Sequence, residues 1–231
     1  RQFMANYTHN WPFYASVDIR DAGFKIAVVD HNLFPAGFNN LDNHAYETHT
    51  QYMRDTLLTY PIPKKRILLL CEFHTRNTFY LENIRVLEQL MRDSGYHVTL
   101  SMVMPDHQPA TTMIVTTATN HSMAIQPFTT DLGNQHDIII LNNDLSSGIY
   151  DSLATVRVPV IPTPQAGWHT RRKSHYFTVL NQLMTRLIES YDCDPWLYST
   201  LTDSIAITDI TEDKEKLYAK VTKLFHAIQR K

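Results

Sequence analysis

Apolar and polar positions along this chain fall into a few well-separated patterns. Residues 66–71 (RILLLC) form an unbroken apolar run behind a basic triplet, as a parallel strand buried on both faces would. The polar stretch Glu72–Asn77 follows. Tyr80, Ile84, Leu87 and Met91 then recur at helical spacing, and Gly95 supplies a stop. Residues 97–103 alternate as a second strand, so 66–103 predicts a strand–loop–helix–strand unit, the mark of an open parallel sheet. Residues 137–141 (DIIIL) predict a third buried strand, ending in Asn142-Asn143-Asp144. Residues 158–161 predict a fourth, cut off by Pro162 and Pro164.

Weaker patterns fill the rest. Tyr14–Ile19 and Phe24–Val29 flank Arg20-Asp21-Ala22-Gly23, which predicts a hairpin with Gly23 in the turn. Residues 32–43, with Pro35 and Gly37, read as a loop, and 44–60 as a helix of weak apolar spacing. Residues 113–118 and 122–126 suggest a small hairpin around Asn120-His121. A helix over 174–191, capped by Ser174, places Phe177, Leu180, Met184, Leu187 and Tyr191 on one face. The last helix starts near Asp213, with Leu217, Val221, Leu224 and Ile228 inward and Arg230-Lys231 at its cationic end. The fold class predicted is α/β: a Rossmann-like, mostly parallel open sheet holding the four strands, with helices 78–94 and 174–191 packed on it.

Composition narrows the function classes. The 231 residues suit one large α/β domain or two small ones, and 43% hydrophobic with 19% charged residues excludes a disordered or fibrous chain. A formal charge of −2 gives no pull towards nucleic acid or anionic membrane, so neither is expected as a partner. Cys71 and Cys193 are too few for a disulfide framework, which points to a reducing cytoplasm. No apolar run approaches the ~20 residues needed to span a bilayer. The chain opens Arg-Gln-Phe-Met, without an initiator methionine at position 1, and is expected to be a piece of something longer.

Ligands of open α/β sheets bind beyond the carboxyl ends of the strands. Three polar clusters follow predicted strands: Glu72, His74, Arg76 and Asn77 in the first, Asn142, Asn143 and Asp144 in the second, and Gly167–His175 in the third. Parallel strands would turn all three to one crevice; the competing reading is ordinary loop and cap residues. Arg171, Arg172 and Lys173 precede a helix start, where cations oppose the macrodipole at ~0.3–1 kcal/mol each, so a bound carboxylate or phosphate would offset them. A solvated charge run with carboxylate partners would do so equally. Twelve histidines bring no His-Glu-x-x-His, there is no Cys-x-x-Cys, and no metal ligands are assigned. None of the six glycines forms a dinucleotide or Walker loop. Cys71, ending a buried strand, reads as a packed thiol.

Several ordered blocks carry a family resemblance: 13–25 (FYASVDIRDAGFK), 30–40 (DHNLFPAGFNN), 74–81 (HTRNTFYL), 141–149 (LNNDLSSGI), 166–168 (AGW), 171–177 (RRKSHYF) and 194–197 (DPWL). Together they resemble the proteobacterial glutamate–cysteine ligases, with a poor match between Ser101 and Asn134. The resemblance implies an ATP-grasp-like enzyme, with a pre-ATP-grasp-type fold for the present part. ATP would phosphorylate the γ-carboxylate of L-glutamate, and the amine of L-cysteine would displace phosphate to give γ-glutamylcysteine, the first step of glutathione synthesis. It implies ATP and Mg²⁺ as cofactors, bound mainly by a C-terminal part that is absent here. Residues 1–197 would be the substrate-side domain, and 198–231 a linker and helix leading to the missing ATP-grasp domain. Within the blocks, Arg20, Lys25 and Asn40 join the three clusters as implied substrate-binding residues. The partners implied are L-glutamate, L-cysteine and ATP; oligomeric state is left open. Two other readings stand beside the ligase: a non-catalytic Rossmann-like module binding an anionic metabolite through the same arginines, and a nucleotide-sugar transferase domain.

Overall fold

The computed structural model describes residues 12–105, 111–209 and 211–230. Among the described residues, eight strands and seven α-helices follow one another as β1 (Ser16–Asp21), β2 (Ile26–Asn32), α1 (Tyr46–Leu57), β3 (Arg66–Cys71), α2 (Thr78–Asp93), β4 (His97–Met102), β5 (Met113–Thr116), β6 (Ser122–Pro127), α3 (Thr130–Asn134), β7 (Ile138–Asn142), α4 (Asp151–Ala154), β8 (Val160–Ile161), α5 (Lys173–Tyr191), α6 (Pro195–Tyr198) and α7 (Lys214–Gln229). They divide into two compact units, one of residues 12–16 with 32–170 and one of 17–31 with 171–230.

The first unit is built on a six-stranded sheet of order β5-β6-β4-β3-β7-β8. All its pairings are parallel except β5 with β6. β3 is its hydrophobic axis, because alternate residues of a strand face opposite ways and here both faces are covered. Ile67, Leu69 and Cys71 join a core with Leu81, Ile84, Leu87 and Met91 of α2. Leu68 and Leu70 join a second core with Phe34, Ile139, Leu141 and Leu153. Each fully buried aliphatic side chain contributes about 1.5–3 kcal/mol, so this strand holds both layers together. α2 ends at Gly95, whose φ of 96° is the left-handed conformation that stops a helix. The predicted fourth strand shrinks to two residues, although the Pro159 carbonyl still accepts from Ile139 N–H at 2.9 Å.

The second unit holds the hairpin β1–β2 with α5, α6 and α7. Helix α5, expected among the sheet's helices, clusters with this unit. Arg172, extended at φ −118°, stands at its N-cap instead of Ser174, and no side chain caps the end. Ile188 is buried within α5, whereas Tyr191 is 55% exposed. In α7 only Leu224 of the four expected inward residues is half-buried, lining a hollow with Phe177 and Leu201; Leu217, Val221 and Ile228 are exposed. The short helices α3 and α6 escape a periodicity reading, yet each carries its own cap. Thr129 accepts from Leu132 N–H, and Asp194 from Trp196 N–H, with Pro195 in the first turn.

Candidate functional site

In the sheet unit the chain leaves β3 through α2 to β4 on one side, while β7 and β8 lie on the other. The gap between the carboxyl ends of β3 and β7 is therefore the topological switch point, where ligands of such sheets bind. The ladder places Cys71 opposite Asn142, and beyond that pair side chains take over from backbone. Tyr80 Oη accepts from Glu72 N–H at 2.8 Å and donates to the Asn142 carbonyl at 2.7 Å. Asn143 Nδ2 donates to the Cys71 carbonyl at 3.3 Å, and Glu72 Oε1 accepts from Asp144 N–H at 2.6 Å.

Glu72 and Asp144 thus meet across the opening. Burial is the main influence on the Glu72 carboxyl and pushes it up to about 7; the bond from Asp144 N–H pulls back and the Asp144 carboxylate adds to the rise. The other Glu72 oxygen lies 4.0 Å from His74 Nε2. His74 packs edge-on against the Tyr80 ring, with 5.4 Å between ring centres. It also lines an open hollow of about 710 Å³ with Phe73, Arg76, Asn77, Phe79 and Met113. Arg76 is exposed there. Asn77 caps α2 by accepting from Tyr80 N–H at 3.0 Å. The arrangement offers a proton-holding carboxyl, an imidazole and a guanidinium beside the first turn of a helix, a set able to receive a small zwitterion.

Asn142 and Asn143 are buried and their amides are already engaged. Asn142 Nδ2 donates to the Pro35 carbonyl at 2.8 Å, and Asn143 Oδ1 accepts from Leu145 N–H at 3.0 Å. They shape the opening from behind. The start of the third cluster does reach the second, since Trp168 N–H donates to the Asp144 carbonyl at 2.8 Å. Asn40 is exposed in a 3-10 turn (Phe38–Asn40) of the same unit. That turn is held from below by Asn83, whose Oδ1 accepts from Gly37 and Phe38 N–H at 2.8 and 2.9 Å.

Five candidates belong to the other unit. Lys25 donates to the carbonyls of Trp196 and Ser199 and sits 4.2 Å above the Trp196 ring, a fastening for the hairpin; burial lowers its pKa against the pull of Asp194. Arg20 is exposed on β1. Lys173 pairs with Asp30 at 3.0 Å, Arg171 donates to the His31 carbonyl at 3.3 Å, and Arg172 is exposed at the α5 cap. Asp30 thus gives one cation of the run, Lys173, a carboxylate partner, and Arg172 stays exposed. Burial and Arg171 lower the His31 pKa, against Asp30.

Sequence reasoning missed Tyr80, Asn83 and Tyr14, whose hydroxyl donates to the Leu141 carbonyl. Tyr80 sits on the apolar face of α2 and reads as core, and its polar partner Asn142 lies 62 residues away. Among the described residues no group of three or more His, Cys, Asp and Glu could hold a metal ion. Nor does the sequence carry a glycine-rich dinucleotide or Walker phosphate loop. No helix among the described residues is long and apolar enough to cross a membrane.

A family model described as glutamate–cysteine ligase matches residues 1–231. Among solved structures, the chain is similar to a crystal structure from Methylobacillus flagellatus KT described as a candidate γ-glutamylcysteine synthetase. The two share 36% identity at a TM-score of 0.86, over 99% of this chain and 55% of that one. The chain therefore spans about half the length of that protein. Comparison with curated proteins gives no match.

Proposed function

We propose, given that this chain belongs to the glutamate–cysteine ligase family, that it forms the substrate-side part of an ATP-dependent enzyme joining L-glutamate to L-cysteine as γ-glutamylcysteine. In this reading the reaction passes through γ-glutamyl phosphate, begins glutathione synthesis and takes place in the cytoplasm. Residues 1–197 act as the substrate-side domain, and 198–231 lead to an ATP-grasp domain that binds most of the ATP and Mg²⁺.

The observation that carries the site is the switch point, where Glu72 meets Asp144 and His74 at the ends of β3 and β7, and His74 lines the adjoining hollow with Arg76. An amino acid brings one ammonium and one or two carboxylates, which these groups complement. The test is Glu72→Gln and Arg76→Ala in the complete ligase, with folding followed by circular dichroism. A charge-assisted contact is worth ~1.5–3 kcal/mol, so affinity for an amino-acid substrate should fall by about tenfold or more while that for ATP holds. Unchanged kinetics in both variants would remove the crevice from the substrate site. Separately, the 231-residue chain alone should form no γ-glutamylcysteine from ATP, glutamate and cysteine. Measurable product would overturn the division between the two parts.

A further inference from the structure

We infer that Tyr80 is a positioning residue of this site: its hydroxyl, set between Glu72 N–H and the Asn142 carbonyl, keeps the carboxyl ends of β3 and β7 apart and so fixes where the Glu72 carboxylate stands. The inference rests on the proposed role of Glu72 at the crevice. Its basis is the register of the sheet. With Cys71 opposite Asn142 in a parallel ladder, the next rung would run from Glu72 N–H to the Asn142 carbonyl. Those are the two groups that the Tyr80 hydroxyl separates, accepting from one at 2.8 Å and donating to the other at 2.7 Å. A phenol oxygen thus stands where a direct strand-to-strand bond would run.

A buried tyrosine must find partners for its hydroxyl, and one backbone carbonyl would suffice. Tyr80 is only 8% exposed, and it engages both halves of one missing rung instead. Its seat is fixed at both ends. The Asn77 side chain holds its N–H at the first turn of α2, and His74 lies edge-on to its ring. Opposite, the Asp144 N–H, free of a backbone rung, turns to the Glu72 carboxylate at 2.6 Å. If the strands closed, Glu72 would follow its backbone towards β7 and lose that position.

The experiment is a double-mutant cycle in the complete ligase with Tyr80→Phe, Glu72→Gln and the pair, reading kcat and KM for glutamate, cysteine and ATP beside the melting temperature. Tyr80→Phe should raise KM about tenfold for the same amino acid as Glu72→Gln, leave KM for ATP unchanged, and add nothing when Glu72 is already Gln. Equal effects in both backgrounds, or a lower melting temperature with every KM unchanged, would overturn the inference and leave Tyr80 a core residue. If Glu72→Gln alters no KM, the reading of the crevice falls and takes the inference with it. Because Phe leaves two backbone groups unpaired, 3-fluorotyrosine at position 80 provides a second, milder variant that keeps the hydroxyl and both of its partners. It should leave every KM near the parent's, and a tenfold rise in the same KM as for Tyr80→Phe would overturn the inference.

Discussion

Arg66 and Asp137 hold each other twice: Asp137 N–H donates to the Arg66 carbonyl at 2.9 Å, and Arg66 N–H donates to Asp137 Oδ2 at 2.9 Å. The same carboxylate oxygen also accepts from Lys64 N–H at 3.0 Å. These bonds join the amino ends of β3 and β7 through backbone and carboxylate, whereas the side chains of Tyr80 and Asn143 link their carboxyl ends. Asp137→Ala should lower stability by about 1–3 kcal/mol in urea unfolding, and Asp137→Asn, which keeps an acceptor oxygen, by less.

Glu72 should make the protein less stable as pH rises. Its folded carboxyl titrates near 7, above the ordinary value of 4.5, so the folded state holds the proton more tightly than the unfolded chain does. Its stabilising contribution is complete below about pH 4.5 and is lost as pH rises through about 7. Glu72→Gln keeps an acceptor for Asp144 N–H but cannot ionise. It should match the parent below about pH 4.5 and be more stable by about 1–3 kcal/mol above pH 7, in melting curves recorded across pH. Greater stability with weaker substrate binding is the signature of a group held for function.

Glu82 has the opposite sign. Burial alone would raise its carboxyl, but bonds from Thr117 and Thr119 and the Arg85 guanidinium prevail and hold it at about 2. Thr119 Oγ1 donates at 2.5 Å and Arg85 Nε at 2.6 Å, so α2 grips the β5–β6 turn. This stabilisation is present above about pH 4.5 and fades as pH falls towards 2. Glu82→Gln should cost about 2 kcal/mol at neutral pH and nothing near pH 2, measured by urea titration at each pH.

Gly167 is required for its small size. A Cβ there would lie 2.8 Å from His169 Nδ1 and 2.9 Å from Leu145 Cβ, closer than packed atoms come. Gly167→Ala should push residues 167–169 away from the Asp144–Leu145 backbone, costing about 1–3 kcal/mol. Loss of the Trp168 N–H bond to the Asp144 carbonyl should change the Trp168 fluorescence.

What the sequence discloses here follows from distance along the chain. β3 spans 66–71 and α2 spans 78–93, close to their predicted bounds, because buried strands and amphipathic helices write their pattern in consecutive residues. The polar cluster after each strand was legible for the same reason. Illegible was the division of labour inside the clusters. Asn142 and Asn143 look like ligand residues until Pro35 and Cys71, 107 and 72 residues away, are found to take their amides. The carboxylate partner of Lys173 in the basic run was illegible in the same way, since Asp30 lies 143 residues away. In α7 the apolar spacing predicted a helix correctly but could not say that Val221 and Ile228 remain exposed.

Ile188 is the one buried apolar side chain among the described residues of the hairpin-and-helix unit, while Tyr218, Val221 and Phe225 of α7 face solvent. The sheet unit, by contrast, encloses two buried clusters. Protection from amide hydrogen exchange tracks enclosed apolar contacts, so α7 should exchange early and β3, β4 and β7 last. Unfolding of this chain is then not all-or-none, and one melting temperature describes only the sheet.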